Sequence, residues 1–408
     1  MAHSGLFFLT LTLRHGQHRS GRALRLLRPT LSHPAFCGGS MVVCGAPFHS
    51  VCSPKPHLLR AHTESPLARS SLRIGLEQGL PSQPHSSFLG LFSRGRMDSS
   101  PQIRFGSTAT ARFLTDHDKL IDSVETFIFD CDGVIWRGDT LIDGAAETLD
   151  MLRAKGKQLV FVTNNSTKSR KQCGKKFEAL GVNVLEEEIF SSSFAAAAYL
   201  KSINFPSNKK VYIIGEAGIQ LELKQAGINY LGGPEDGDKK IDLSPGQVME
   251  HDPDVAAVVV GFDRHVNYYK LQYATRCLRE NPGCMFIATN CDAGIHLTES
   301  QEWAGAGTMV GAIKGSTKKE PLVVGKPSTF MMDHVASKFN IKTSQLCMVG
   351  DRLETDILFG QNGGCATLLV LSGVTTLEAL QSDENKIQPD YYTNKISDLL
   401  AAKKVANV

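Results

Sequence analysis

Six side chains stand just past short apolar runs, and their types suit phosphate chemistry. Phe127-Ile128-Phe129 leads into Asp130 and Asp132, and Val160-Phe161-Val162 leads into Thr163. Val323-Val324-Gly325 leads into Lys326, and Met348-Val349-Gly350 into Asp351 and, five residues on, Asp356. Hard divalent cations prefer oxygen ligands and often bridge carboxylates to phosphate oxygens, so these groups together can hold Mg²⁺ and a phosphate. In an extended segment, residues two apart project to one side, which lets Asp130 and Asp132 reach the same group while Cys131 points away. On this reading Asp130 attacks phosphorus to form an aspartyl-phosphate. Asp132 protonates the leaving alcohol and then takes the proton of the attacking water. Anions facing a phosphate dianion repel it, and Mg²⁺ with Lys326 would offset that charge. Thr163 and the backbone of Asn164 would donate to a phosphate oxygen, with Asn165 a further phosphate-side residue of the same loop.

The elements that must position these groups are legible in the alternation of apolar runs and helical periods. Short runs recur at 125–130, 158–163, 210–215, 255–262, 284–289, 321–325, 345–350 and 367–373. Helical stretches lie between them at 145–156, 170–181, 267–280 and 328–340, and Gly follows several of them as a C-cap. Near-continuous apolar strands alternating with helices predict an α/β fold with parallel sheets covered on both faces, a doubly wound, Rossmann-like core. Ligands bind such sheets beyond the carboxyl ends of the strands, so the four apolar runs are expected to deliver their polar residues to one edge. Two units are expected, because the chain beyond its first 97 residues exceeds one usual domain. The polar stretch 232–254 reads as a loop.

Composition excludes several partners. Residues 1–97 hold eleven basic residues against Glu64 and Glu77, a charge of +9, which leaves −6 for the remaining 311 residues of a chain whose total is +3. An acidic body offers no clustered Lys/Arg groove for nucleic acid. No stretch approaches the ~18 apolar residues needed to span a bilayer, so no membrane partner is expected. The 10 Cys include no Cys-x-x-Cys pair, which indicates neither a structural zinc site nor a disulfide framework. The first 97 residues are Arg-rich, nearly free of acids, and hold 13 Ser and 8 of the 13 His. That composition predicts an organelle transit peptide over about residues 1–110. The alternatives are a disordered tail or a true start at Met41 or Met97.

Any one of these motifs alone is an ordinary turn or strand-end cap. The four in order are different. Asp130-Cys131-Asp132-Gly133-Val134, Thr163-Asn164-Asn165-Ser166, Gly325-Lys326-Pro327 and Gly350-Asp351-Arg352-Leu353-Glu354-Thr355-Asp356 resemble the motifs of haloacid-dehalogenase-superfamily phosphatases. The surrounding wording resembles the branch of phosphoglycolate, pyridoxal and 4-nitrophenyl phosphatases, the chloroplastic phosphoglycolate phosphatases above all. The resemblance implies a core over 120–205 and 321–408, with an α/β cap inserted at 206–320. It implies Mg²⁺ held by the side chains of Asp130 and Asp351 and the backbone carbonyl of Asp132, with Asp356 orienting Lys326 or a metal-bound water. It also implies a cap histidine near the phosphate, which would be His296. Arg264 and His265 are further candidates for a substrate carboxylate, with an ordinary surface turn as the alternative reading. Cys291 stands where the family is expected to carry a polar or basic residue.

The activity so implied is hydrolysis of 2-phosphoglycolate, a small phosphorylated metabolite of photorespiration, in the chloroplast stroma, with mitochondrion or cytosol as other locations. Another small phosphomonoester such as pyridoxal phosphate, or a non-catalytic ligand-sensing role, is the alternative. A homodimer through the cap is a family expectation. A dehalogenase would need only the first Asp, whereas Asp132 supplies an acid for an ester leaving group. Gly133, Trp136 and Gly138 would form a flap, and Trp136 reads equally well as packing.

Overall fold

The computed structural model describes residues 110–298 and 301–402, so the expected leader lies outside the described residues apart from Thr110. The first half of the core runs β1 (Arg112–Phe113), α1 (His117–Ser123), β2 (Thr126–Phe129), β3 (Trp136–Arg137), β4 (Thr140–Leu141), α2 (Ala145–Ala154), β5 (Gln158–Thr163), α3 (Arg170–Ala179), β6 (Ile189–Ser191) and α4 (Ser192–Ser202). A second unit follows with β7 (Lys210–Ile214), α5 (Ala217–Gln225), β8 (Asn229–Gly232), β9 (Val255–Val260), α6 (Tyr268–Glu280), β10 (Met285–Ala288), β11 (Gly294–Thr298), β12 (Gln301–Ala304), α7 (Ala306–Thr317) and β13 (Leu322–Val323). The chain then completes the core with α8 (Phe330–Phe339), β14 (Leu346–Gly350), α9 (Leu358–Gly363), β15 (Ala366–Val370), α10 (Leu377–Gln381) and β16 (Tyr391–Thr393).

Seven strands form one parallel sheet in the order β1-β16-β15-β14-β2-β5-β6. Its inner strands are apolar throughout because each face has its own helical layer. Phe127, Phe129, Phe161, Val349 and Leu368 pack against Leu120, Leu149, Leu152 and Phe177 of α1, α2 and α3. Their alternating neighbours Ile128, Val160, Val162 and Met348 pack against Ala196 and Leu200 of α4, Met331 and Val335 of α8 and Phe359 of α9. The period-two split of one apolar run between two layers is what a doubly wound sheet demands.

The second unit repeats the design. Its five strands are parallel in the order β13-β10-β9-β7-β8. Val211, Ile213, Ala257, Val259 and Ile287 join the same apolar cluster as α4, with Ile219 and Leu223 of α5. Tyr212, Val258, Val260 and Phe286 face the other way, onto Ala274 and Leu278 of α6 and Val310 and Ile313 of α7. One apolar layer therefore joins the two sheets. The polar stretch 232–254 is a short 3₁₀ turn at Gly233–Asp236 followed by loop.

One expectation changes. Pro321–Gly325 was expected to return the chain to the core, but Leu322–Val323 pairs with Ile287 and Ala288 of β10 as the edge of the second sheet. The return comes after Val323, so Lys326 reaches the core from the carboxyl end of a cap strand. The physical reason is the crossover through α7, which lays β13 parallel beside β10.

Candidate active site

From β2 the core sheet is built outward in one direction by β5 and β6 and in the other by β14, β15 and β16. The order reverses between β2 and β14, and such a switch point opens a crevice at the carboxyl ends of the strands. Asp130 follows β2 there and Asp351 follows β14. Lys326 Nζ donates to Asp130 Oδ1 at 2.6 Å and to Val162 O at 3.0 Å, and lies 2.7 Å from Asp356 Oδ1. Three protein oxygens thus surround an ammonium that has three donors. Lys326, Asp356 and Asp130 are all buried, at 2 %, 1 % and 8 % exposure. Burial by itself would discharge the lysine, but Asp130 and Asp356 outweigh it and hold its pKa above the usual lysine value. The other Asp356 oxygen accepts from the backbone N–H groups of Asp351 and Arg352, which fixes the wide turn Leu353–Ile357 after β14.

Asp351 completes the group. Its Oδ2 accepts from the Val374 N–H at 2.8 Å. The carboxylate is seated between two glycines: a Cβ on Gly133, where φ is +83°, would lie 2.4 Å from Asp351 Oδ2, and one on Gly373 would lie 1.8 Å from it. No other residue type fits that approach. Oxygen atoms of Asp130, Asp351 and Asp356 lie within 4.8 Å of one another. Burial is the largest influence on Asp130 and pushes its carboxyl up to about 7, against the lowering effect of Lys326. Burial, with Asp356 and Asp130 adding to it, pushes Asp351 well above the usual carboxylate range. Two of the three buried carboxylates contact the one ammonium and Asp351 stands beside them, and this all-oxygen donor set with surplus negative charge fits a hard divalent cation.

Asp132 lies at the exposed rim, where its Oδ1 accepts from the Trp136 indole N–H at 2.9 Å. Trp136 is also packed, 4.7 Å from the Phe177 ring centroid and nearly buried, so it serves packing and hydrogen bonding together. It belongs to the β3–β4 hairpin, which Arg137 Nε ties to Ser372 O at 2.6 Å. Cys131 points away from the cleft into the apolar layer, where burial pushes its thiol pKa well above the usual value.

Thr163 is buried at the end of β5, and its Oγ1 accepts from the Asn165 N–H. The side chains of the two asparagines serve the loop itself, which leaves the expected donation from the Asn164 backbone untouched. Asn165 Oδ1 accepts from the Thr167 N–H and hydroxyl, closing a local turn. Asn164 Oδ1 accepts from the Lys326 N–H at 2.8 Å, and its Nδ2 lies 3.1 Å from Lys326 O and from both oxygens of Asp292.

His296 lies on β11. It is exposed on the β11–β12 ribbon, which approaches the core through Glu302, 3.9 Å from Arg352. Arg264 is committed to Glu216 through two contacts of 2.6 and 2.9 Å, and the His265 N–H donates to Asp263 Oδ1, so both belong to the turn before α6. Cys291 is exposed beside a cleft of about 930 Å³ lined also by Asp292, Lys326, Arg352 and Thr355. Asn290 and Asp292 escape a reading by motif, and Arg352 stands inside the fourth motif without having been given a role. Only the position of Asn290 and Asp292 just past the apolar run 284–289 hinted at a role.

Charge placed in this way at a switch point serves phosphoryl transfer, and the class is that of the capped phosphohydrolases. The profile described as haloacid dehalogenase-like hydrolase matches residues 127–229, and a second, described as HAD-hydrolase-like, matches 323–399, on either side of most of the second sheet. The chain belongs to the haloacid-dehalogenase superfamily and is a phosphatase of it. It is 70% identical over 323 residues to the chloroplastic phosphoglycolate phosphatase 1A of Arabidopsis thaliana, covering 78% of this chain and 89% of that one. Among solved structures, a p-nitrophenyl phosphatase from Archaeoglobus fulgidus has a TM-score of 0.59 at 32% identity, covering 68% of this chain and 98% of the other. A glycerol phosphate phosphatase from Mycobacterium tuberculosis in complex with magnesium has a TM-score of 0.58 at 25% identity, covering 69% and 78%.

Proposed function

We propose that this phosphatase hydrolyses 2-phosphoglycolate to glycolate and phosphate, with Mg²⁺ as cofactor and an aspartyl-phosphate intermediate on Asp130. The observation that carries the chemistry is the buried Asp130–Lys326 contact of 2.6 Å beside Asp351 and Asp356 at the switch point. The substrate rests on the 70% identity to a chloroplastic phosphoglycolate phosphatase. Asp130 and Asp351, with the Asp132 carbonyl, would hold the metal ion, which when bound supplies charge neutralisation for the attacked phosphoryl group.

The chain's own residues divide the remaining work. Lys326 orients Asp130 and favours its ionised form against the effect of burial, and Asp356 keeps Lys326 in place. The Asp130 carboxylate attacks phosphorus as the ester P–O bond breaks, and Asp132 gives its proton to the leaving glycolate oxygen. Water then attacks the aspartyl-phosphate while Asp132 takes its proton back, which frees Asp130. Trp136 holds Asp132 at the rim for both transfers. In the cleft, Arg352 is a cation suited to a substrate carboxylate.

The enzyme would act as a chloroplast stromal protein after loss of a leader, a reading that draws on the basic residues 1–97 and on the chloroplastic relative. A dimer through the cap, and the absence of nucleic-acid and membrane partners, remain part of the same proposal. The test is a panel of kcat/KM values for 2-phosphoglycolate, pyridoxal phosphate, glycerol 3-phosphate and 4-nitrophenyl phosphate, each with Asp130→Asn in parallel. A preference of at least ~10-fold for 2-phosphoglycolate is expected, and total loss in the variant. Preference for another ester would overturn the substrate, and appreciable turnover by Asp130→Asn would overturn the nucleophile.

A further inference from the structure

Asn164 is a side chain of the core loop that touches both the catalytic lysine's backbone and the cap. Its Oδ1 accepts from the Lys326 N–H at 2.8 Å, and its Nδ2 lies 3.1 Å from Lys326 O. On the other side, Nδ2 is 3.1 Å from each carboxylate oxygen of Asp292, in the loop after β10 of the second sheet. Asn290 braces the same loop: its Nδ2 donates to Asn164 O at 2.8 Å, and its Oδ1 accepts from the Asp292 N–H at 3.1 Å. Asn290 is buried and Asp292 is half-buried.

An amide side chain keeps nearly the same shape when its oxygen and nitrogen change places, so packing alone does not fix which end faces Lys326. A carboxylate only accepts hydrogen bonds. Asp292 and the Lys326 carbonyl together draw Nδ2 to their side, which leaves Oδ1 facing the Lys326 N–H. With the amide reversed, Nδ2 would meet that N–H donor to donor, and the loop that carries the lysine would shift. We propose that Asp292, braced by Asn290, is a positioning residue that sets Lys326 against Asp130 through Asn164. The cap then contributes to the chemical step itself. Its β10 loop completes the charge arrangement of the core, independently of which ester is bound.

The inference rests on the reading of Lys326 as the ammonium that serves Asp130, so Lys326→Met is assayed alongside Asp292→Ala and Asp292→Asn, with 2-phosphoglycolate and 4-nitrophenyl phosphate as substrates. A positioning role predicts that Asp292→Ala lowers kcat at least ~10-fold, by a similar factor for both esters, with KM changed less than ~3-fold. Asp292→Asn regains part of the loss, because its amide oxygen can still accept from Asn164. Asn164→Ala combined with Asp292→Ala should cost little more than the worse single variant, since both act on one element. Wild-type kcat in Asp292→Ala, or a loss confined to one ester or to KM, overturns the proposal. If Asp292→Ala does not fold, Asp292→Asn carries the test alone: a several-fold lower kcat on both esters is expected, and wild-type kcat overturns the proposal. Turnover by Lys326→Met would instead remove the reading beneath it, and the two failures are distinguishable.

Discussion

Among the described residues, Asp132 takes its side-chain orientation at an exposed rim from one neutral donor, the Trp136 indole N–H at 2.9 Å. A hydrogen bond to a charged group contributes about 1.5–3 kcal/mol when buried and less at a wet surface. Trp136→Phe keeps a ring against Phe177 and removes only the donor, so we expect kcat to fall about 3- to 10-fold with little change in Tm. Steady-state kinetics and a thermal melt measure the two together, and an unchanged kcat would show that Asp132 needs no such support. The residues with chemistry were legible because each follows an apolar run. Their wiring was not, because the Asn164–Asp292 contact joins positions 128 residues apart.

At the scale of elements, three carboxylates meet because β2 and β14 are neighbours and the turn after β14 folds back onto Lys326. Without a metal ion that arrangement costs stability in a pH-dependent way. The Asp130 carboxyl stands at about 7 in the fold, from an ordinary value of 3.8. Between those values the folded protein holds a proton that the unfolded chain has released, so the contribution to stability is full at low pH and is lost as pH rises through about 7. Chelator-treated protein should therefore melt lower at pH 8 than at pH 5.5. Added Mg²⁺ should raise Tm more at pH 8, where Asp130 has lost its proton, and Asp130→Asn should flatten the difference. A Mg²⁺ response of equal size at both pH values would argue against these carboxylates as its ligands.

Over the whole molecule, a body of charge −6 handles an anionic substrate because its site relies on a few local cations, not on a basic surface. Lys326 and Arg352 stand in or beside the cleft, while Arg264, the other expected cation, is neutralised by Glu216. The basic leader is expected to serve import and to be removed. Mass spectrometry of protein recovered from isolated chloroplasts should place the mature N-terminus between Met97 and Thr110. Recovery of the full-length chain in the stroma, or its failure to enter the organelle, would overturn the leader.

The eight apolar runs are all strands and the four helical stretches are all helices, since continuous apolar runs and the 3.6 period are local properties of a chain. The short strands β1, β3, β4, β6 and β16 carry too few residues to show a period and exist through their partners. The sequence by itself determined which polar groups follow the strands, their order and the α/β class, because residue type sets chemistry and hydrophobic period sets element type. The tertiary structure alone decided that Lys326 arrives from the second sheet and that Asn164 bonds both the Lys326 backbone and Asp292. Sheet membership and side-chain partners depend on contacts between distant segments, and those form only once the two sheets share their apolar layer.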